Sequence, residues 1–526
     1  MIKFTNSFCI LKDWLTRPFT TNLSTFSLLF AEITMFIIAY LISGSRGLGT
    51  ISINIFITYV LTIVISIFPI KVQKIILIFV LCYIGIISIL AYCGAVFLKC
   101  PQAMNTLMLV LQTNSEETTE FLETYISLRN VLMLILGFMV LVFIPLIFKW
   151  AKKFIAKLRY VLLALCLLCG CILLYSSYVI YVTPLFCMFE KTLMGNFIVK
   201  DLRNYITEPK IRSVSETDIK PTHVVIIIGE SLSKSHCSLY GYNKTTQPCL
   251  KKMVNDSSIV VFSSVTTAST GTGSAFYNIM STYSSRNINE DWLRCQTLPT
   301  IMKSENYKTY WISNQASMGL LDAIPNMYSK LFDEIQFSPN GNTLDEILIP
   351  MAKSQLISSE KQFMVIHLMG NHEAFSKRYS PKFNKFSSKD YDNKPEHQRQ
   401  VLAEYDNSIL YNDYVVSQII NLFKEEDAVV MYFPDHGLDV YESDETYFGH
   451  SLSTDESQYV GKQIPFMIYV SEKYKMHNEK LYQQLQSAKD VKFCTQDVLY
   501  MIMDITGYEF ADSDDVSKYS PLHCDD

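Results

Sequence analysis

The chain has 526 residues, of which 49% are hydrophobic and 18% charged, with a formal net charge of −5. That length is too great for one ordinary domain, and the acidic balance excludes an obvious nucleic-acid surface. The mean hydropathy of +0.18 is high for a soluble protein. The apolar excess lies in the first 190 residues, in five runs at about 24–44, 51–70, 75–98, 130–148 and 160–186. Each is close to the ~20 residues needed to cross a hydrocarbon core. Buried core helices rarely follow one another five times at this length without charges. Residues 1–186 are therefore expected to form an α-helical membrane domain with five transmembrane helices. The first run is long and is followed by four more, so it reads as a span and not as a cleavable signal peptide.

Basic residues orient these spans. Lys3, Lys12 and Arg17 precede the first, Lys71 and Lys74 separate the second from the third, and Lys149, Lys152, Lys153, Lys157 and Arg159 crowd the gap before the fifth. These segments should be cytoplasmic. The other connections are poor in Lys and Arg, and 99–129 is acidic, so an odd number of spans places the C-terminal part outside. Residues 187–220 read as a linker of mixed charge with room for an amphipathic helix on the membrane surface. Of the 13 cysteines, eight lie at or before position 187. The five later ones show no CxxC pairing, which signals neither a disulfide framework nor a zinc cluster.

From Thr222 onward the pattern becomes strand, loop, helix. Candidate strands lie at 223–229, 258–264, 308–313, 363–368, 428–433 and 464–470, with a long helix at 398–424. This alternation indicates an α/β domain over 221–526 with a mostly parallel central sheet. The five β-branched residues Val224 to Ile228 form a buried strand that stops at Gly229-Glu230-Ser231. In open α/β sheets ligands sit beyond the carboxyl ends of strands, so Glu230 is expected to point into a site. The competing reading is a helix start with Ser231 or Ser233 as N-cap. Other strand ends carry similar chemistry: His367 and His372 in "VIHLMGNH", Asp435-His436 in "YFPDHG", and His450 fourteen residues later. If the strands are parallel these groups converge, and a carboxylate, an Asp-His pair and further imidazoles suit zinc. The hydroxyl-rich loop "VTTASTGTGSAFYNIMS", 265–281, offers a nucleophile that a metal could activate for attack on phosphorus.

These stretches resemble the membrane-bound phosphoethanolamine transferases of Gram-negative bacteria, within the alkaline phosphatase/sulfatase superfamily. The resemblance is carried by "GESLSKSHCSLYGYNKTTQP", "HLMGNHEAFSKRYSPKF", "AEYDNSILYND", "PDHG" and the later "GH", together with five spans ahead of an α/β domain. It implies that Glu230, Thr272, Asp435 and His436 bind one or two zinc ions, with Thr272 as the catalytic nucleophile. An alternative alignment of "GTGSA" would choose Ser274. It further implies that His372 and His450 line the substrate or a second metal, that Asn314 contacts substrate, and that Thr113 and Glu117 sit near the lipid. Met318 stands where the family usually has a lysine, and the cysteines flanking the nucleophile in the lipid A enzymes are absent.

The implied reaction transfers phosphoethanolamine from phosphatidylethanolamine, through a covalent phospho-threonine, to lipid A or an LPS core sugar. The protein would act as a monomer in the inner membrane, with the catalytic domain in the periplasm. Two rivals remain at this level: a phosphoglycerol transferase of the same superfamily, and a membrane receptor or scaffold that has lost catalysis. A sulfate-ester hydrolase would need a Cys/Ser-x-Pro-x-Arg signature, and none occurs.

Overall fold

A computed structural model describes residues 11–43, 47–99, 101, 103, 106–107, 110, 118–119, 121–122, 126–173, 202–205, 208–209, 211–213, 220–256, 258–284, 286, 292–315, 324–339, 344–445, 447–450, 455–511 and 519–523. The chain divides into two compact units, one within 1–111 and 125–198, the other within 112–124 and 199–526.

The first unit is helical: α1 (Leu23–Ile42), α2 (Gly47–Ser66), α3 (Ile70–Leu98), α4 (Leu128–Trp150), the short α5 (Lys152–Lys157) and α6 (Arg159–Leu173). Helix α1 packs against α2, α3 and α4, and α2 packs against α6. Close helix approach is set by small residues. A Cβ on Gly137 of α4 would lie 2.5 Å from the Tyr92 ring of α3, and the Tyr92 hydroxyl donates to the Met133 carbonyl of α4 at 2.5 Å. Three described helices are long and apolar enough to cross a membrane: Leu23–Ile42, Ile70–Phe97 and Leu128–Trp150. The other two expected spans appear as the shorter apolar helices Ile51–Ser66 and Arg159–Gly170. The five-span expectation is thus met at three positions. Residues 174–186 of the last expected span, and most of the 187–220 linker with its amphipathic helix, fall outside the described residues.

The second unit is built on strands β1 (Ile211–Ser213), β2 (His223–Gly229), β3 (Ile259–Thr266), β4 (Lys308–Ser313), β5 (Glu334–Phe337), β6 (Gln362–His367), β7 (Ala428–Pro434), β8 (Asp439–Val440), β9 (Phe448–Gly449), β10 (Gln463–Val470), β11 (Phe493–Cys494) and β12 (Tyr508–Phe510). Eight of them form one sheet in the order β11-β3-β10-β7-β2-β6-β4-β5. The part of the expected linker at Ile211–Ser213 is a strand, paired antiparallel with β12.

The central sheet is mixed, where the alternation of strands and helices had pointed to a mostly parallel one. β10 runs antiparallel to both β3 and β7. The reason lies in the chain path. β7 ends and β10 begins at the same edge of the sheet, so β10 runs back beside β7 without a crossover. The central run of β2 is apolar throughout because both faces are covered. Val224, Ile226 and Ile228 pack into one core and Val225 and Ile227 into the other, all fully buried. Each such side chain contributes about 1.5–3 kcal/mol. The long helix α8 (Glu396–Leu422), preceded by α7 (Thr272–Met280), supplies Tyr405, Ile409 and Val416 to the second core.

Candidate functional site

Strands β3, β7, β2, β6 and β4 all end at one edge of the sheet, and the expected site residues collect there. Glu230 follows β2 and Asp435-His436 follow β7, its parallel neighbour, so register places them side by side. One ligand atom from each of Glu230, Asp435 and His436 lies within 4.8 Å of the others, and all three residues are buried. His436 Nε2 is 3.3 Å from Glu230 Oε1 and 3.5 Å from Asp435 Oδ2. On its other side His436 Nδ1 is 2.9 Å from the Gly437 carbonyl. A carbonyl only accepts, so Nδ1 carries a proton and Nε2 is the nitrogen available to a metal. Asp435 Oδ2 is buried with no hydrogen-bond partner, an orphan acceptor of the kind a cation satisfies. Two carboxylates and one imidazole form a donor set that fits a divalent ion.

The electrostatics follow from two buried carboxylates set against buried imidazoles. Burial and the facing Glu230 carboxylate raise the Asp435 pKa. Burial alone would also raise Glu230, but the His436 and His372 imidazoles outweigh it and lower the value. Burial lowers His436, yet Asp435 and Glu230 together raise it.

Thr272 opens α7, with Gly271 as N-cap. Its Oγ1 lies 3.4 Å from Glu230 Oε2 and 3.3 Å from His436 Nε2, and it also interacts with Asp435. The hydroxyl thus faces all three candidate ligands from the positive end of a helix, where developing negative charge is favoured. Ser274 is committed elsewhere: its hydroxyl donates to the Gly271 carbonyl at 3.0 Å and pairs closely with Ser269. The loop is held to the strand end by the Thr267 hydroxyl, which donates to the Asp435 carbonyl at 2.7 Å.

His372 and His450 join the same cluster. The His450 ring centroid is 4.5 Å from that of His436, and both His372 and His450 act electrostatically on Glu230. Burial lowers both imidazoles, His450 to about 3, so each is neutral at pH 7. His372 Nδ1 is buried without a partner. His367 lies behind the site, with Nδ1 3.4 Å from the Ser313 hydroxyl and its ring against Phe276 of α7. Asn314 has a supporting contact: its amide donates to Asp345 at 2.8 Å. Asp345 accepts the Met369 and Gly370 amides, both at 2.8 Å, and so holds the turn that packs on Glu230. Thr113, Glu117 and Met318 lie outside the described residues.

Two contacts to Glu230, and the tyrosine that braces one of them, were not anticipated. Gln315, the residue after Asn314, reaches Glu230 Oε2 at 3.4 Å while its amide is fixed by the Leu368 carbonyl at 3.0 Å. Ser231 is no helix cap; its hydroxyl donates to Glu230 Oε1 at 2.8 Å. Ser231 also adopts a left-handed backbone at φ 55, which costs a β-carbon-bearing residue of order 1–3 kcal/mol and must be held by its surroundings. Tyr405 of α8 holds it. Its hydroxyl donates to the Ser231 carbonyl at 2.8 Å and accepts the Ser233 amide at 2.9 Å.

Beside this clamp lies a buried ionic network. His236 Nδ1 is 2.7 Å from Asp406 Oδ1, while the Tyr242 and Tyr391 hydroxyls donate to Asp406 Oδ2 at 2.7 and 2.5 Å. Burial lowers His236, but Asp406 and Glu442 raise it to about 10. A raised imidazole stabilises the fold fully below its unfolded value of about 6.5, and that contribution is lost as pH rises toward the folded value. Stability should therefore decline between pH 7 and about 10, and Asp406→Asn should flatten that decline. Thermal melts of both proteins across the interval provide the check; equal slopes would remove His236 as the cause.

The family model described as Sulfatase matches residues 222–508, more than half of the chain. The chain belongs to the sulfatase family. Within it, this sulfatase-family chain is 25% identical over 515 residues to phosphoethanolamine transferase EptC of Escherichia coli O18:K1:H7 (strain RS218 / NMEC), covering 89% of this chain and 86% of that protein. The crystal structure of the C-terminal periplasmic domain of EcEptC from Escherichia coli, a complex with Zn, is 25% identical with a TM-score of 0.54, covering 60% of this chain and 90% of that one. The integral membrane protein lipooligosaccharide phosphoethanolamine transferase A (EptA) from Neisseria meningitidis shares the fold at a TM-score of 0.64. Its identity is 17%, and the match covers 94% of this chain and 96% of that one. Membership thus agrees with the two-part architecture of apolar helices followed by a sulfatase-type domain.

Proposed function

We propose that the protein is a membrane-bound phosphoethanolamine transferase that takes the headgroup from phosphatidylethanolamine and passes it to an envelope glycolipid, lipid A or LPS core. The observation that carries this reading is the Thr272 hydroxyl set among Glu230, Asp435 and His436 on a chain related along most of its length to a phosphoethanolamine transferase. Glu230, Asp435 and His436 would hold zinc, as the donor set and the zinc complex of the related EcEptC domain support. Bound zinc would lower the pKa of the nucleophile and offset negative charge on phosphorus.

Thr272 Oγ1 attacks phosphorus, the bond from phosphorus to the diacylglycerol oxygen breaks, and the hydroxyl proton ends on the departing diacylglycerol. An acceptor hydroxyl oxygen then attacks the same phosphorus, the bond to Thr272 breaks, and the acceptor's proton passes to Thr272 Oγ1, which restores the threonine. Glu230 Oε2 faces the hydroxyl that must lose its proton, at 3.4 Å. His372 and His450, neutral at pH 7, supply imidazole donors for the phosphoryl oxygens or nitrogens for a second ion. Thr113 and Glu117 are assigned to the lipid from the motif resemblance, and the catalytic unit is assigned to the periplasmic side of the inner membrane.

Release of diacylglycerol by zinc-loaded full-length protein tests the reading. Phosphatidylethanolamine should be consumed and phosphatidylglycerol left intact; the reverse preference would replace this assignment with phosphoglycerol transfer. Zinc uptake should itself be pH-dependent. Metal displaces protons from ligands whose folded pKa values are raised, so binding near pH 7 releases protons and weakens by about tenfold per proton for each unit of acidification. Calorimetry in two buffers of different ionisation enthalpy reads the count; a value of zero would contradict the raised pKa values of Asp435 and His436.

A further inference from the structure

The membrane unit carries a second chemical feature, at the end remote in sequence from the catalytic residues. Lys149 lies in the last turn of α4, Lys152, Lys153 and Lys157 lie on α5, and Arg159 opens α6. The four lysines are exposed. No acidic residue occurs between Glu123 and Glu190, so these cations have no carboxylate on their own stretch. Large apolar groups stand exposed among them: Trp150 at 91% and Phe154 at 65%.

Other cations are tied to the same end of the unit. Ile155 and Leu162 pack with Trp14, Leu15 and Phe19 in one cluster. The Lys12 ammonium lies 4.4 Å from the Tyr160 ring centroid. The Arg17 guanidinium donates to the Ser66 carbonyl at 3.3 Å, and Asn22 bonds Gln73 at 3.2 Å, which brings Lys71 and Lys74, at the start of α3, to this end as well. A short, lysine-rich helix with an exposed Phe, preceded by the exposed Trp150 at the end of α4, matches a segment lying in the headgroup layer: rings enter the acyl boundary while ammonium groups meet phosphates. Uncompensated lysines directly beside a span are attracted to anionic lipid.

We infer that α5 and the flanking ends of α4 and α6 form a binding face for anionic phospholipid headgroups, in the leaflet facing the cytoplasmic end of the spans. This inference does not rest on the proposed activity.

The test uses full-length protein, delipidated in a neutral detergent, with phosphatidylglycerol and phosphatidylcholine as probes and native mass spectrometry to count retained lipid. Phosphatidylglycerol should bind at least about tenfold more tightly than phosphatidylcholine, and the preference should shrink with salt. The triple variant Lys152→Gln, Lys153→Gln, Lys157→Gln should lose about a hundredfold in phosphatidylglycerol affinity. The corresponding triple arginine variant, which keeps the charge, should retain it and guards against a glutamine variant that fails to fold. Equal binding of the two lipids by wild type would overturn the inference and leave the face to an acidic protein. Displacement of phosphatidylglycerol by equimolar inorganic phosphate would overturn it in favour of a free-anion site. Unchanged phosphatidylglycerol affinity in the folded glutamine variant would overturn it too.

Discussion

Thr272→Ala should reduce phosphoethanolamine transfer by about 10⁴-fold or more, the scale of losing a catalytic nucleophile whose partners act as a unit. The hydroxyl is the one oxygen nucleophile seen facing Glu230, Asp435 and His436 among the described residues. Thr272→Ser keeps that oxygen and should keep measurable turnover. Ser274→Ala removes a hydroxyl already engaged by Gly271 and Ser269, and should change the rate by less than about tenfold. Single-turnover release of diacylglycerol separates the three. A Ser274→Ala variant as inactive as Thr272→Ala would transfer the nucleophile's role to the serine.

Gly370→Ala is expected to be the most damaging small substitution outside the ligands. Gly370 sits at φ +56, and an added Cβ would lie 2.6 Å from the Glu230 amide nitrogen and 2.9 Å from its carbonyl oxygen. Neither is the free end of a side chain, and the Asn371 amide already donates to the Glu230 carbonyl at 2.9 Å. Left-handed strain and a backbone clash together should cost about 2–4 kcal/mol. Because the displaced backbone carries Glu230, zinc affinity should also fall by more than about tenfold. Denaturant unfolding and a zinc titration measure the two effects. Wild-type stability with wild-type zinc affinity would show that the turn yields without moving Glu230.

Much of this site was legible along the chain because it is written at strand ends. The run Val224 to Ile228 has no polar interruption since both of its faces are covered, and β2, β6 and β7 end within a residue of their expected limits. Parallel pairing of β2 with β7 then brings Glu230 beside Asp435 by register alone. The direction of β10 was not legible: nothing in "QIPFMIYV" says that the chain returned from the same edge. The strands Glu334–Phe337 and Phe493–Cys494 are too short to show a period. The supports of the site escaped for a different reason. Gln315, Asp345, Tyr405 and Asp406 reach it across 85, 24, 174 and 170 positions of chain, and such pairings leave no local pattern. For Gln315 there was one signal, its place directly after a strand on the ligand edge of the sheet.

The most direct measurement is the intact mass of zinc-loaded full-length protein after incubation with phosphatidylethanolamine and no acceptor. A covalent phosphoethanolamine adduct on wild type, absent from Thr272→Ala, is the expected result. An adduct that persists in Thr272→Ala, or none on wild type with zinc confirmed bound, would contradict transfer through this threonine.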